Sequence, residues 1–125
     1  MATKLEIFCN DGNILKRAVS YMKASWDNFT VVVKDLINQT SWQYDQYHDT
    51  LEIGKYVLFF IDQEGKTSNT KHEITITERS PSEIYVVFSY SKFLMMLDVK
   101  EKSAQEIDEM LSRKQLTRPN EYRGY

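Results

Sequence analysis

The sequence predicts a two-layer α+β domain, with two or three helices on one face of a mostly antiparallel sheet of four to five strands. Three observations carry that prediction. Apolar residues recur at helical offsets between Ile14 and Met22, and three strand-like runs follow one another between Leu51 and Tyr90. A capping-box tetrad, Ser103-Ala104-Gln105-Glu106, then opens a last amphipathic stretch.

Taken in order, Lys4-Leu5-Glu6-Ile7-Phe8-Cys9 is rich in β-formers and ends at the turn residues Asn10-Asp11-Gly12. Next, Ile14, Leu15, Ala18, Val19 and Met22 lie three and four apart, with Lys16, Arg17, Ser20 and Lys23 on the other side. That stripe predicts a helix stopping near Ser25, capped by Asp11 or Asn13. The stretch Asp27 to Gln39 carries two signals. Thr30-Val31-Val32-Val33 is β-branched, whereas Phe29, Val32, Val33, Leu36 and Ile37 fit helical spacing behind a cap at Asp27. Length and periodicity favour the helix.

Ser41 to Asp49 has no sustained apolar face at either period and reads as a loop or irregular edge. Leu51 to Ile61 contains the continuous apolar run Tyr56 to Ile61, suited to a central strand covered on both faces. His72 to Glu78 alternates, and Glu83 to Tyr90 returns after Ser80-Pro81-Ser82. These three runs predict an antiparallel meander. Phe93 to Asp98 reads as a fourth strand, with a helix start as the alternative. Ile107, Met110 and Leu111 supply the buried stripe of a final helix to about Gln115. The expected organisation is one domain over 1–116 and a tail over 117–125 that orders on partner binding.

A chain of 125 residues with 42% apolar and 27% charged residues can bury a core without staples. Its net charge of −2 argues against an electrostatic magnet for nucleic acid. The lone cysteine, Cys9, cannot form an internal disulfide, which favours a reducing compartment. Met1 to Glu6 lacks the apolar stretch of a secretory signal, and Tyr56 to Ile61 is too short to span a bilayer. The expectation is a cytoplasmic protein with no membrane partner.

Chemical reagents are sparse: two histidines, one cysteine and four glycines. Asp45, His48 and Asp49 are the nearest thing to a reactive cluster, but a third ligand at recognisable spacing is missing. Asp98-Val99-Lys100 has the local form of an acidic-x-lysine nuclease strand, with Glu83 as the candidate second carboxylate. Cys9 and His72 read as a buried thiol and a sheet-edge imidazole. One glycine in Asp11-Gly12-Asn13 does not make a phosphate cradle. No catalytic set, cofactor or metal is therefore expected.

Aromatic residues are plentiful: eight tyrosines, six phenylalanines and two tryptophans. Trp42, Tyr44 and Tyr47 sit in a polar segment. Arg118, Tyr122, Arg123 and Tyr125 lie beyond the last helix, where its macrodipole does not account for them as it does Arg113 and Lys114. Tyrosine, tryptophan and arginine dominate interface hot spots. Trp42, Tyr44, Tyr47, Arg118, Tyr122 and Arg123 are thus the expected contact residues of a non-enzymatic protein-binding module. A small inhibitor or adaptor is the expected form, the size being that of viral or mobile-element antagonists and of immunity proteins. Single-stranded nucleic-acid binding through the same aromatics is the first alternative, and a metal-dependent nuclease the second. A homodimer closing strand edges or the Phe93 to Leu97 run is a further expectation.

Overall fold

The computed structural model describes residues 2–11, 14–18, 21–23, 28–68, 71–91, 96–113 and 115–117. Over those residues it is predominantly β. The strands are β1 (Ala2–Asp11), β2 (Ile14–Arg17), β3 (Tyr21–Lys23), β4 (Asn28–Asp35), β5 (Thr40–Gln43), β6 (Thr50–Glu52), β7 (Gly54–Asp62), β8 (His72–Ile76), β9 (Glu83–Ser91), β10 (Met96–Lys102) and β11 (Gln115–Thr117). One helix, α1 (Ala104–Arg113), is found among the described residues. The two or three helices expected on one face of a single sheet are therefore corrected to two sheets and one short helix.

The first sheet runs β10-β9-β1-β2-β11, with β6 also on β1; the second runs β3-β4-β7-β8, with β5 on β4. The sheets pack face to face. Leu5, Ile7, Cys9, Ile84, Val86 and Phe88 of the first share one core with Phe29, Val31, Val33, Leu58, Phe60 and Ile74 of the second. Phe88 bridges the layers, its ring centroid 4.6 Å from that of Phe60 and 5.2 Å from that of Phe29. Each such fully enclosed side chain contributes roughly 1.5–3 kcal/mol of burial. A smaller cluster, Phe8, Leu15, Val87 and Ile107, lies on the outer face of the first sheet beneath α1. The layer order is second sheet, first sheet, helix.

This layering explains where periodicity misled. Leu15 and Ala18, three apart, belong to different clusters on opposite faces of the first sheet. A strand that feeds two cores mimics helical spacing at such offsets. The hairpin pairing Phe8↔Arg17 and Cys9↔Lys16 then decides the conformation as β2, and β3 follows in place of the rest of the predicted helix. In β4, Phe29, Val31 and Val33 face the core and β-branching prevails over the helical offsets. Leu36 and Ile37, expected on a buried stripe, lie in the turn after β4. The predicted loop over 41–49 is in part a strand, β5, pairing Val33↔Trp42.

The meander is also corrected. β7 and β8 pair antiparallel, but β9 crosses to the first sheet and runs parallel to β1, from Lys4↔Glu83 to Asn10↔Ser89. As the middle layer, β1 is the doubly covered strand, buried without interruption from Leu5 to Cys9. In β7 the apolar run alternates: Tyr56, Leu58 and Phe60 are buried, and Val57, Phe59 and Ile61 are half-exposed. The final helix forms where its local signal placed it: Ser103 Oγ accepts from the Glu106 amide and a Glu106 carboxylate oxygen accepts from the Ser103 amide, both at 3.1 Å. β10 supplies the strand expected near Phe93 to Asp98, though Phe93 to Met95 lie outside the described residues. No helix among the described residues is long and apolar enough to cross a membrane.

Candidate functional site

The chain between β4 and β7 holds two turns, 36–39 and 45–48, one at each end of β5. Asp35 organises the first of them. Its carboxylate accepts hydrogen bonds from the Ile37 amide (3.0 Å), the Asn38 amide (3.1 Å) and the Asn38 side-chain amide (2.8 Å). These bonds, those from Asn38 foremost, hold the Asp35 carboxyl below the usual carboxylate range. Gln39 closes the turn with a left-handed φ of 55°.

The turn is docked onto the start of β7. The Leu36 amide donates to the Lys55 carbonyl at 2.9 Å. A side-chain carbon placed on Gly54 would meet the Ile37 Cδ1 atom at 3.6 Å. Leu36 and Ile37 thus lie beside the start of β7, which Ile53 immediately precedes, and the three are 40%, 63% and 53% exposed.

A second turn presents Tyr47. One Asp45 carboxylate oxygen accepts from the Tyr47 and His48 amides, each at 2.8 Å, and meets His48 Nδ1 at 2.9 Å. Burial works to raise the Asp45 pKa, but the His48 ring and the Tyr47 amide outweigh it and the net shift is downward. The backbone is fixed from below while the Tyr47 ring stands 80% exposed.

The other two aromatics of this segment point elsewhere. Trp42 is half-buried against the inter-sheet core, its ring edge-on to Tyr56 at 6.2 Å and its indole N–H donating to the His48 carbonyl at 3.1 Å. Tyr44 is 3% exposed and donates its hydroxyl proton to the Leu5 carbonyl at 2.8 Å. Burial pushes its phenol well above the ordinary range, with the Glu6 and Asp49 carboxylates adding to the effect. Of the three segment aromatics, Tyr47 is the one that offers its whole ring outward. Arg118, Tyr122 and Arg123 lie outside the described residues.

Asp45 and His48 do meet, but their atoms are committed to the turn. Among the described residues no group of three or more histidine, cysteine or acidic side chains is placed to hold a metal ion. Asp98 and Lys100 form an ion pair at 3.5 Å beside a cleft between β10 and α1. Glu83 is not with them. Asp98 lies opposite Ser89 on β9, whereas Glu83 lies six residues earlier, roughly 20 Å along the strand, and accepts from the Tyr85 hydroxyl. The three-residue nuclease set is therefore not brought together. Cys9 is buried in the core, and His72 reaches Glu101 across the sheets at 3.1 Å.

Sequence reasoning missed Leu36, Ile37 and Ile53. The available signal was the run Asp35-Leu36-Ile37-Asn38, in which Asp35 and Asn38 have the residue types of a side-chain-closed turn. Reading it so would have left the intervening leucine and isoleucine outside any core. Comparison of the chain with family models, curated proteins and solved structures gives no match.

Proposed function

We propose that this chain is a non-enzymatic protein-binding module, an inhibitor or adaptor that docks its partner through the surface between residues 36 and 53. One observation carries the reading. The exposed large apolar side chains among the described residues, Leu36, Ile37, Tyr47 and Ile53, all fall in this single stretch at the connections between strands. Isolated exposed apolar residues are ordinary, but four of them on the hydrogen-bonded turns and connections around one short strand, β5, have the form binding surfaces take. The turns are pre-ordered by Asp35 and Asp45, so little conformational entropy remains to be lost on docking. Tyr47 brings a large amphipathic ring of the kind that anchors interfaces. Stacking of single-stranded nucleic acid has less support, because Tyr44 is enclosed and the Trp42 ring is already engaged with Tyr56.

The test is affinity capture from native lysate with the tagged chain, run beside Tyr47→Ala and a double variant, Ile37→Ser with Ile53→Ser. A discrete partner held by the parent chain should be lost by both variants at unchanged melting temperature. Retention of that partner by both variants contradicts the assignment.

A further inference from the structure

The cleft beside α1 lies away from the surface between residues 36 and 53. β1 reaches it at Asn10, six residues and roughly 20 Å beyond Lys4, whose strand partner Thr50 marks the other end. The cleft has a volume of about 570 Å³, within the range of small-molecule sites. Asn10 and Ser89 come from the sheet, Asp98 and Lys100 from β10, and Glu109 and Arg113 from α1.

Three features define what would fit. First, the cleft wall is polar at the sheet: Asn10, whose enclosed Oδ1 atom has no hydrogen-bond partner among the described residues, and Ser89 both line it. Second, the charges divide into satisfied and unsatisfied ones. Asp98 pairs with Lys100, and Lys102 with Glu106 at 3.7 Å. Among the described residues the Glu109 carboxylate and the Arg113 guanidinium have no ion-pair partner, although Arg113 Nε donates to the Glu109 carbonyl at 3.3 Å. One turn apart on α1, they offer one negative and one positive contact on the same wall. Third, the cleft lining as a whole is neutral, Asp98, Glu106 and Glu109 being balanced by Lys100, Lys102 and Arg113. A polyanion such as a nucleotide finds no net attraction there.

We infer that this cleft binds a net-neutral zwitterion of short-peptide size. Its ammonium group is taken by the Glu109 carboxylate and its carboxylate by the Arg113 guanidinium. Val87 and Met110 give the floor an apolar component for the body of the ligand. The inference is independent of the proposed protein-binding surface and stands or falls on its own residues.

The experiment is an NMR titration of the full-length, ¹⁵N-labelled chain with triglycine, repeated with adenosine monophosphate and with acetate. The amides of Asn10, Ser89 and Met110 should shift saturably with triglycine, and more weakly with the two anions. Glu109→Gln and Arg113→Gln remove one charge each from exposed positions. Each should weaken triglycine binding by at least about tenfold, the loss of one charge-assisted hydrogen bond, while resonances remote from the cleft stay in place. Absence of saturable shifts with triglycine overturns the inference. So does tighter binding of the nucleotide, or an affinity for triglycine that neither variant changes.

Discussion

The hydroxyl of Tyr44 donates to the carbonyl of Leu5 at 2.8 Å, tying the segment after β5 of the second sheet to β1 of the first. The Leu5 amide in turn donates to the Asp49 carbonyl at 2.7 Å. The turn that presents Tyr47 is thereby anchored on both sides, at Tyr44 and at Asp49, to the middle layer of the fold. Burial of Tyr44 and exposure of Tyr47 are two parts of one arrangement: one aromatic holds the segment so that the other can be offered.

Tyr44→Phe keeps the ring and removes that donor. Loss of a buried hydrogen bond costs about 1–3 kcal/mol. Urea denaturation should show a lower midpoint at unchanged slope. An unaltered midpoint would mean that the hydroxyl does not tie the sheets.

The same residue makes the protein sensitive to alkali. Its phenol is raised in the folded state, so folding is undisturbed while both states keep the proton, below the unfolded value of about 10. Above that, the unfolded chain gives up its proton while the folded chain cannot, and stability falls as pH rises. Tyr56 and Tyr85 shift in the same direction, the latter to about 12 through its hydrogen bond to Glu83. The measurement is therefore a difference. Stability of the parent chain should fall more steeply from pH 9 to 11 than that of Tyr44→Phe, and equal slopes contradict the prediction.

On the acid side Asp35, Asp45 and Glu106 all sit below the ordinary carboxylate range, Glu106 through the Ser103 amide and hydroxyl. Groups depressed by folding stabilise the native state above their unfolded values, near 4, and lose that contribution as pH drops below them. Denaturant midpoints should decline between pH 5 and 3, and Asp35→Asn should flatten the decline. If that variant keeps the full acid dependence, the turn after β4 is not held by a carboxylate.

Helix α1 covers the outer face of the first sheet through Ile107, which packs with Phe8, Leu15 and Val87. Ile107→Ala should cost about 2–5 kcal/mol, as large-to-small changes in cores do. It should also raise hydrogen exchange at the amides of α1. A cost of a few tenths of a kcal/mol would place the helix off the sheet.

Local chemistry in the sequence located the capping box at Ser103, the alternation of His72 to Ile76 and the strand character of Glu83 to Tyr90. What it could not convey was the destination of each strand. Glu83 pairs with Lys4 across most of the chain, a partnership no local window contains. The second failure has a different cause. Because the first sheet is covered on both faces, Leu15 and Ala18 are both buried, and a pattern of buried residues on two faces reads as one helical stripe. Within the segment from Ser41 to Asp49, residue type distinguished Trp42, Tyr44 and Tyr47 from their polar neighbours, but burial separates the three from one another. That depends on Leu5 and Tyr56, which are distant in sequence or in another strand.

The central claim, that partners dock where Tyr47 stands out, is tested most directly by placing a photo-crosslinking residue at position 47 and, separately, at exposed Arg79 on the turn before β9. Irradiation in native lysate should give a discrete heavier band from position 47 alone, abolished when Ile37→Ser and Ile53→Ser are added. Adducts formed equally from both positions, or from position 79 alone, would contradict it.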